Sequence, residues 1–284
     1  MIDQKALYLY NHKKNQQIWT HDDSFLMYEK NWIERTRDSF PKIEDSLSYS
    51  QFKDNINQLI KEETENENES SNFVSYGMNL EQFKIFIQEF AVDGFTEAQV
   101  FYYVMPRLHL SAQLPLLRIM IDEFGSGNPK RSHTTLYCNL LEELDLPTQV
   151  QYYYDKISIT NYEFVNLYYW LTLRADDPSY FVGALTYLES IIPYVFPCYV
   201  DACKRLNITS HQYYSEHCHI DTFHSQECYR VLNAMQETNT LNAAKAWEGV
   251  LLSSIITNHV FEEAVAKAKN YISSPTTFTL EETL

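Results

Sequence analysis

Between Ser210 and Met235 the chain reads SHQYYSEHCHIDTFHSQECYRVLNAM, and His217, Asp221 and His224 stand four and then three residues apart within it. On an α-helix each residue turns by about 100°, so these offsets bring the three side chains onto one face. Two imidazoles and a carboxylate aimed at one point make the ligand set of a non-haem iron, manganese or zinc site. The same residues also admit a plainer reading, as histidines at the rim of a core and a solvated aspartate. His219 points to the back of the helix and is left out. Ser210 is the expected N-cap, and Val231, Leu232 and Met235 close the helix with an apolar end.

Two histidines and one acid leave a divalent ion short of ligands, so further donors are expected on apolar helix faces. Glu189 lies within FVGALTYLESIIPYVF, where an ionised carboxylate needs a cation or several hydrogen bonds. Glu123 ends the apolar run LPLLRIMIDEF, His133 follows ten residues later beyond a Gly-Ser-Gly break, and Glu97 opens the segment before. Singly, Glu97 can serve a helix dipole, Glu123 can be a solvated helix end and His133 a surface residue. Taken together, three glutamates, one aspartate and three histidines from four helices match the recipe of a carboxylate-bridged di-iron or di-manganese centre inside a bundle. Five cysteines, at 138, 198, 203, 218 and 228, are odd in number and have no CxxC spacing, which disfavours a disulfide framework and structural zinc. Cys228, one turn beyond His224, reads as a small buried thiol.

The elements that must hold these groups are all helical by pattern. Helices are expected over 24–37 and 50–63, after Asn79 in LEQFKIFIQEF, and over 96–124 with interruptions at Pro106 and Pro115. Asn128-Pro129 is read as a cap and first turn leading through His133 to Leu144, and Asn161 as the cap of YEFVNLYYWLTLR. Residues 151–159 fit a short helix or a loop. Ser179 to Tyr199 is a long apolar helix bent by Pro193, and Leu241 to Ile272 is the last. Asp93-Gly94 is read as a break, and no strand alternation or internal repeat is visible.

Length and charge set the outer bounds. A chain of 284 residues with only six glycines and nine prolines disfavours turn-rich architectures. A formal charge of −16 argues against nucleic acid or an anionic membrane as partner. KEETENENESSN, residues 61–72, is expected to be a solvated loop, residues 1–75 an N-terminal helical extension, 76–275 the helical bundle and 276–284 a flexible tail. No apolar run of about 18 residues and no signal-peptide core is evident, so a soluble, cytoplasmic protein is expected.

TEAQVFYYVMPRL (Thr96 to Leu108), DEFGSGNPKRSHTTLY (Asp122 to Tyr137), GALTYLES (Gly183 to Ser190) and EHCHIDTFH (Glu216 to His224), in that order, resemble the haem-oxygenase-like di-iron oxidases, the iron-containing redox enzyme family. The resemblance covers about residues 80 to 237. It implies an all-α bundle of the haem oxygenase type without haem, and iron ligands at Glu97, Glu123, His133, Glu189, His217, Asp221 and His224. Some members carry a carboxylate where Lys130 stands here, which leaves Glu123 as the acid from that helix pair. The implied cofactor is two ferrous ions, with manganese as the alternative, and the implied partners are O2 and a small-molecule substrate. An external electron donor and a homodimer are both compatible with it. Similar enzymes oxygenate an amine nitrogen or cleave C–C or C–N bonds of amino-acid-derived metabolites in biosynthetic pathways; fatty-acid decarboxylation is the alternative. Arg107 is a candidate for a substrate carboxylate. Tyr102, Tyr103, Tyr168, Tyr169 and Trp170 either line a pocket or pack the core. Two other readings stay open: a bundle that binds iron or haem without turnover, and a helical interaction protein whose polar cluster is incidental.

Overall fold

The computed structural model describes residues 2–16, 22–65 and 68–271, and every regular element among them is helical. The chain opens with α1 (Gln4–Gln16), α2 (Asp23–Arg37) and α3 (Tyr49–Glu65). Leu7, Trp32, Ile33, Phe52 and Ile56 bury themselves in the same core as Leu185, Leu232 and Val250. The N-terminal helices therefore extend the bundle's own core. The expected acidic loop at 61–72 is largely helical: α3 runs to Glu65, and α4 (Glu69–Asn72) follows, with 66–67 outside the described residues. Asn68 caps α4 by accepting from the backbone N–H groups of Ser70 and Ser71. Ser70 is buried and donates to Glu262 at 2.6 Å. Glu63 accepts from Tyr187 at 2.7 Å and Ser254 at 2.6 Å. Charge density in the sequence had concealed these specific partners.

A π-turn over Phe73–Gly77 leads to α5 (Leu80–Glu89), which opens on Asn79 with the reciprocal Asn79/Gln82 box. The short α6 (Ala91–Gly94) ends at the expected Asp93-Gly94 break, and 3-10 turns over Glu97–Phe101 and Met105–Arg107 replace the first half of the helix expected from Thr96. Pro106 sits in the second of these turns. Pro115 is absorbed inside α7 (Leu110–Glu123). The helix expected from Asn128 begins only at His133: Asn128 accepts from the Lys130 N–H in a turn, and Ser132 caps α8 (His133–Glu143). Asn161 is also not a cap. It is buried in the first turn of α9 (Asn161–Leu173), where its amide donates to Glu89.

The remaining helices are α10 (Ser179–Val195), α11 (Pro197–Arg205), α12 (Gln212–Glu237) and α13 (Ala243–Lys269). Ser210 does not cap α12. Its backbone N–H, with that of Thr209, donates to Glu143 at the end of α8, which ties the entry of α12 to that helix. The expected tail at 276–284 lies outside the described residues. One helical stretch among the described residues, Ser179–Arg205, is long and apolar enough to cross a membrane by length and composition alone. It packs in the interior, with α10 against α12 and α13.

That central packing is set by two glycines. A Cβ on Gly183 would lie 1.9 Å from the Ala246 carbonyl oxygen, and one on Gly249 would lie 2.0 Å from that of Tyr180. The backbones of α10 and α13 therefore touch at both points, and no side chain fits between them. Gly183→Ala should push the helices apart and lower stability by about 1–3 kcal/mol, measured by thermal unfolding. An unchanged melting temperature would show that the crossing tolerates a methyl group.

Candidate metal centre

Five elements deliver acids and imidazoles to one buried volume. Glu123 ends α7, His133 begins α8, Glu189 lies on α10, and α12 supplies His217, Asp221 and His224; Glu97 comes from the first 3-10 turn. Ser190 and Ser225, each one residue past a candidate ligand, meet at 2.8 Å and fix the register of α10 on α12.

Two donor clusters result. Ligand atoms of Glu97, Glu123, His133 and His217 lie within 4.8 Å of one another, as do those of Glu123, Glu189 and His224. Glu123 belongs to both. Its Oε2 stands 2.7 Å from His133 Nδ1, and its Oε1 stands 3.8 Å from His224 Nδ1. Asp221 joins the second cluster with Oδ1 at 3.4 Å from His224 Nδ1, and Glu189 Oε2 approaches the same nitrogen at 3.2 Å. All seven residues expected to act as ligands are therefore brought together. Glu123 is buried, not the solvated helix end that its position allows, and His133 is buried too.

Several polar atoms of these residues are unsatisfied. Both oxygens of Asp221, Oε1 of Glu97, Nδ1 of His133 and Nε2 of His224 are buried without a hydrogen-bond partner. His133 Nδ1 and Glu123 Oε2 face each other at 2.7 Å, so that, although burial opposes both shifts, the imidazole pulls the carboxyl down and the carboxyl raises the imidazole. Buried groups of this kind cost free energy unless a cation meets them. The donor set is hard oxygen and imidazole nitrogen, which fits ferrous or manganous ions.

Neighbouring groups orient the donors. The His217 Nδ1–H donates to the Tyr213 carbonyl at 2.7 Å, which leaves Nε2 free. The Tyr213 hydroxyl donates to Glu97 Oε2 at 2.7 Å. Tyr213 lies one helical turn before His217, a spacing from which the sequence could have assigned it. Asp122 was passed over for its neighbour Glu123, yet its Oδ2 lies 3.5 Å from His224 Nε2 and its Oδ1 accepts from Ser126 at 3.0 Å. Ser126 stands in the left-handed region between Gly125 and Gly127, so the Gly-Ser-Gly break is what aims this carboxylate. Asp122→Asn should weaken ferrous binding by about 10- to 100-fold, read by competition with a chromophoric chelator under anaerobic conditions. Unchanged affinity would leave Asp122 an ordinary surface acid.

Electrostatics follow from this crowding. Burial, then the charge of Glu123, holds Glu97 well above the usual carboxylate range; burial, then Glu189, does the same to Asp221. Burial also raises Glu189, although His224 pulls the other way. Burial would raise Glu123 as well, but His133, His217 and His224 outweigh it and bring it down to about 2. Burial and the neighbouring His133 push His217 down to about 3. Burial opposes protonation of His224, but Asp221 and Glu189 overcome it and raise that imidazole to about 11.

An apolar cavity of about 130 Å³ adjoins the cluster, walled by Phe90, Phe101, Phe164, Leu188, Val195 and Phe261. Tyr168 lines it, whereas Tyr169 and Trp170 pack into the core and Tyr102 stacks on Phe124 at the surface. Asp93, read from the sequence only as part of a break, also faces this cavity. Burial and Glu123 raise it to about 7. Arg107 does not reach the cavity. Its guanidinium donates to the carbonyls of Leu171, Thr172 and Ala175 at the end of α9, so its role is to hold that helix terminus. Cys228 is buried, as expected.

Residues 84–255 match the family model described as iron-containing redox enzyme. The nitrosourea synthase of Streptomyces achromogenes subsp. streptozoticus is 28% identical over 156 residues, a segment covering 50% of this chain and 31% of that protein. The chain thus spans about a third of that relative's length. A solved domain of unknown function with a haem oxygenase-like fold, from Shewanella denitrificans OS217, superposes with a TM-score of 0.60 at 14% identity. That superposition covers 79% of this chain and 94% of the domain, and the all-α, haem-oxygenase-like architecture expected from the sequence is the one found.

Proposed function

Since the chain belongs to the iron-containing redox enzyme family, we propose that it is an O2-dependent non-haem di-iron oxidase or oxygenase. Its substrate in this reading is a small amino-acid-derived metabolite of a biosynthetic pathway. The observation that carries the reading is the position of Glu123, shared by two buried donor clusters in which Glu97 Oε1, His133 Nδ1 and both Asp221 oxygens lack hydrogen-bond partners. Glu97, His133 and His217 would hold one ion, Glu189, Asp221 and His224 the other, and Glu123 would bridge them. Bound ferrous ions supply the electrons and open positions that O2 chemistry requires.

The chain's own residues do the rest. Tyr213 fixes both His217 and Glu97, Asp122 orients His224, and the phenylalanine-rich wall keeps water away from the reacting atoms. Seven hard donors in this volume would crowd a porphyrin, which needs one axial histidine and an apolar slot. The relative's name, nitrosourea synthase, favours oxygenation at nitrogen over bond cleavage.

Protein prepared without oxygen should take up about two ferrous ions per chain and give a transient visible absorption band when mixed with O2. Uptake well below one ion, or no response to O2, would remove the reading. Mass spectrometry of candidate substrates turned over with ferrous iron and O2 separates the reaction types. A gain of oxygen marks N-oxygenation, and loss of carbon or nitrogen marks cleavage.

A further inference from the structure

The structure assigns Asp93 as the counter-ion for a substrate ammonium group, so that the cavity takes an amine with a short apolar body and no free carboxylate. This deepens the proposed function and rests on its di-iron assignment for the charge on the metal side. Asp93 lies on α6, four residues before Glu97, and lines the cavity. Among the described residues its side chain makes no hydrogen bond or ion pair, and it is outside both donor clusters.

Charge balance gives this position its meaning. Glu97, Glu123, Glu189 and Asp221 carry four negative charges, which two ferrous ions neutralise. Asp93 is a fifth carboxylate with no protein cation to meet it, because no lysine or arginine lines the cavity and its one imidazole, His217, is committed to the proposed metal site. An ionised carboxylate in an apolar enclosure needs a cation. A substrate carboxylate would find no guanidinium here and would be repelled by Asp93, whereas an ammonium group offers three donors and the missing charge. The body of that substrate is bounded by size. At about 130 Å³ the cavity is near the ~150 Å³ hole that accepts benzene, which suits about six carbon atoms.

The test uses ferrous-loaded protein under nitrogen, with hexylamine, hexanol and hexanoate titrated by calorimetry into the wild type and Asp93→Asn. Hexylamine should bind the wild type roughly tenfold tighter than either analogue. In Asp93→Asn its advantage over hexanol should disappear while the iron content stays the same. Hexanoate binding more tightly than hexylamine to the wild type would overturn the assignment, even if the variant failed to fold. So would full hexylamine affinity in Asp93→Asn, the behaviour of an amine held by iron alone, or loss of an iron from that variant. An Asp93-dependent preference for hexylamine in protein that takes up no iron would uphold the counter-ion and remove the di-iron reading instead.

Discussion

Glu123→Gln should cost the protein both ferrous ions, whereas Glu97→Gln and Glu189→Gln should each cost about one. The difference follows from position. Glu97 shares a cluster with His133 and His217, and Glu189 shares one with His224, but Glu123 offers Oε2 to the first and Oε1 to the second. An amide presents one oxygen and one N–H group, so at Glu123 it can serve at most one cluster and turns a donor toward the other. It also removes the negative charge that His133 and His224 both feel. Iron counted colorimetrically after anaerobic loading and desalting should fall from about two per chain to near zero in Glu123→Gln, and to about one in the other two. Circular dichroism should show the same helix content in all three. If the three variants lost iron equally, Glu123 would be one ligand among several and the bridging arrangement would be wrong.

How legible this site was depends on whether its residues share an element. His217, Asp221 and His224 are readable because helical spacing alone puts them on one face. Glu189 is readable because its neighbours are apolar and an acid among them calls for a partner. Glu123 and His133 belong together only because the turn through Gly125, Ser126 and Gly127 returns the chain, and there the sequence suggested the break but not its direction. The cap of α8 was placed too early for the same reason: Asn128 and Ser132 are both competent caps, and the choice rests on the backbone of Gly125, which lies against Arg131 and Ser132 too closely for a Cβ. Asp93 was invisible as chemistry because Asp-Gly is an ordinary turn signal, and only tertiary packing places it in the wall of the cavity beside the proposed metal site. Arg107 failed in the opposite direction. A cation near a metal site suggests a substrate anion, but the carbonyl groups ending α9 were an equally good and nearer partner.

Asp221→Asn should raise the melting temperature of the metal-free protein and lower that of the iron-loaded protein, a reversal that a merely structural aspartate would not give. Both Asp221 oxygens are buried without hydrogen bonds, and burial together with Glu189 disfavours the ionised form. Without a metal this residue is a liability of about 1–3 kcal/mol, and asparagine removes the charge while offering a donor to its acidic neighbours. At about 2–4 °C per kcal/mol for a chain of this size, the metal-free variant should melt several degrees higher. Above about pH 7 the unfolded chain has lost its carboxylate and histidine protons, whereas folded Asp221, Glu97 and His224 tend to keep theirs. The metal-free fold then binds the extra protons, so its stability should fall as pH rises, and less steeply in the variant. Ferrous ions invert the order, since each site filled at a hundred times its dissociation constant adds about 2.7 kcal/mol to the wild type, and Asp221→Asn weakens one of those sites. Differential scanning fluorimetry with and without ferrous ion under nitrogen measures all four states. A variant that melts lower in both would place Asp221 in the fold's own hydrogen bonding, and with it the reading of the cluster as a site built for cations would fail.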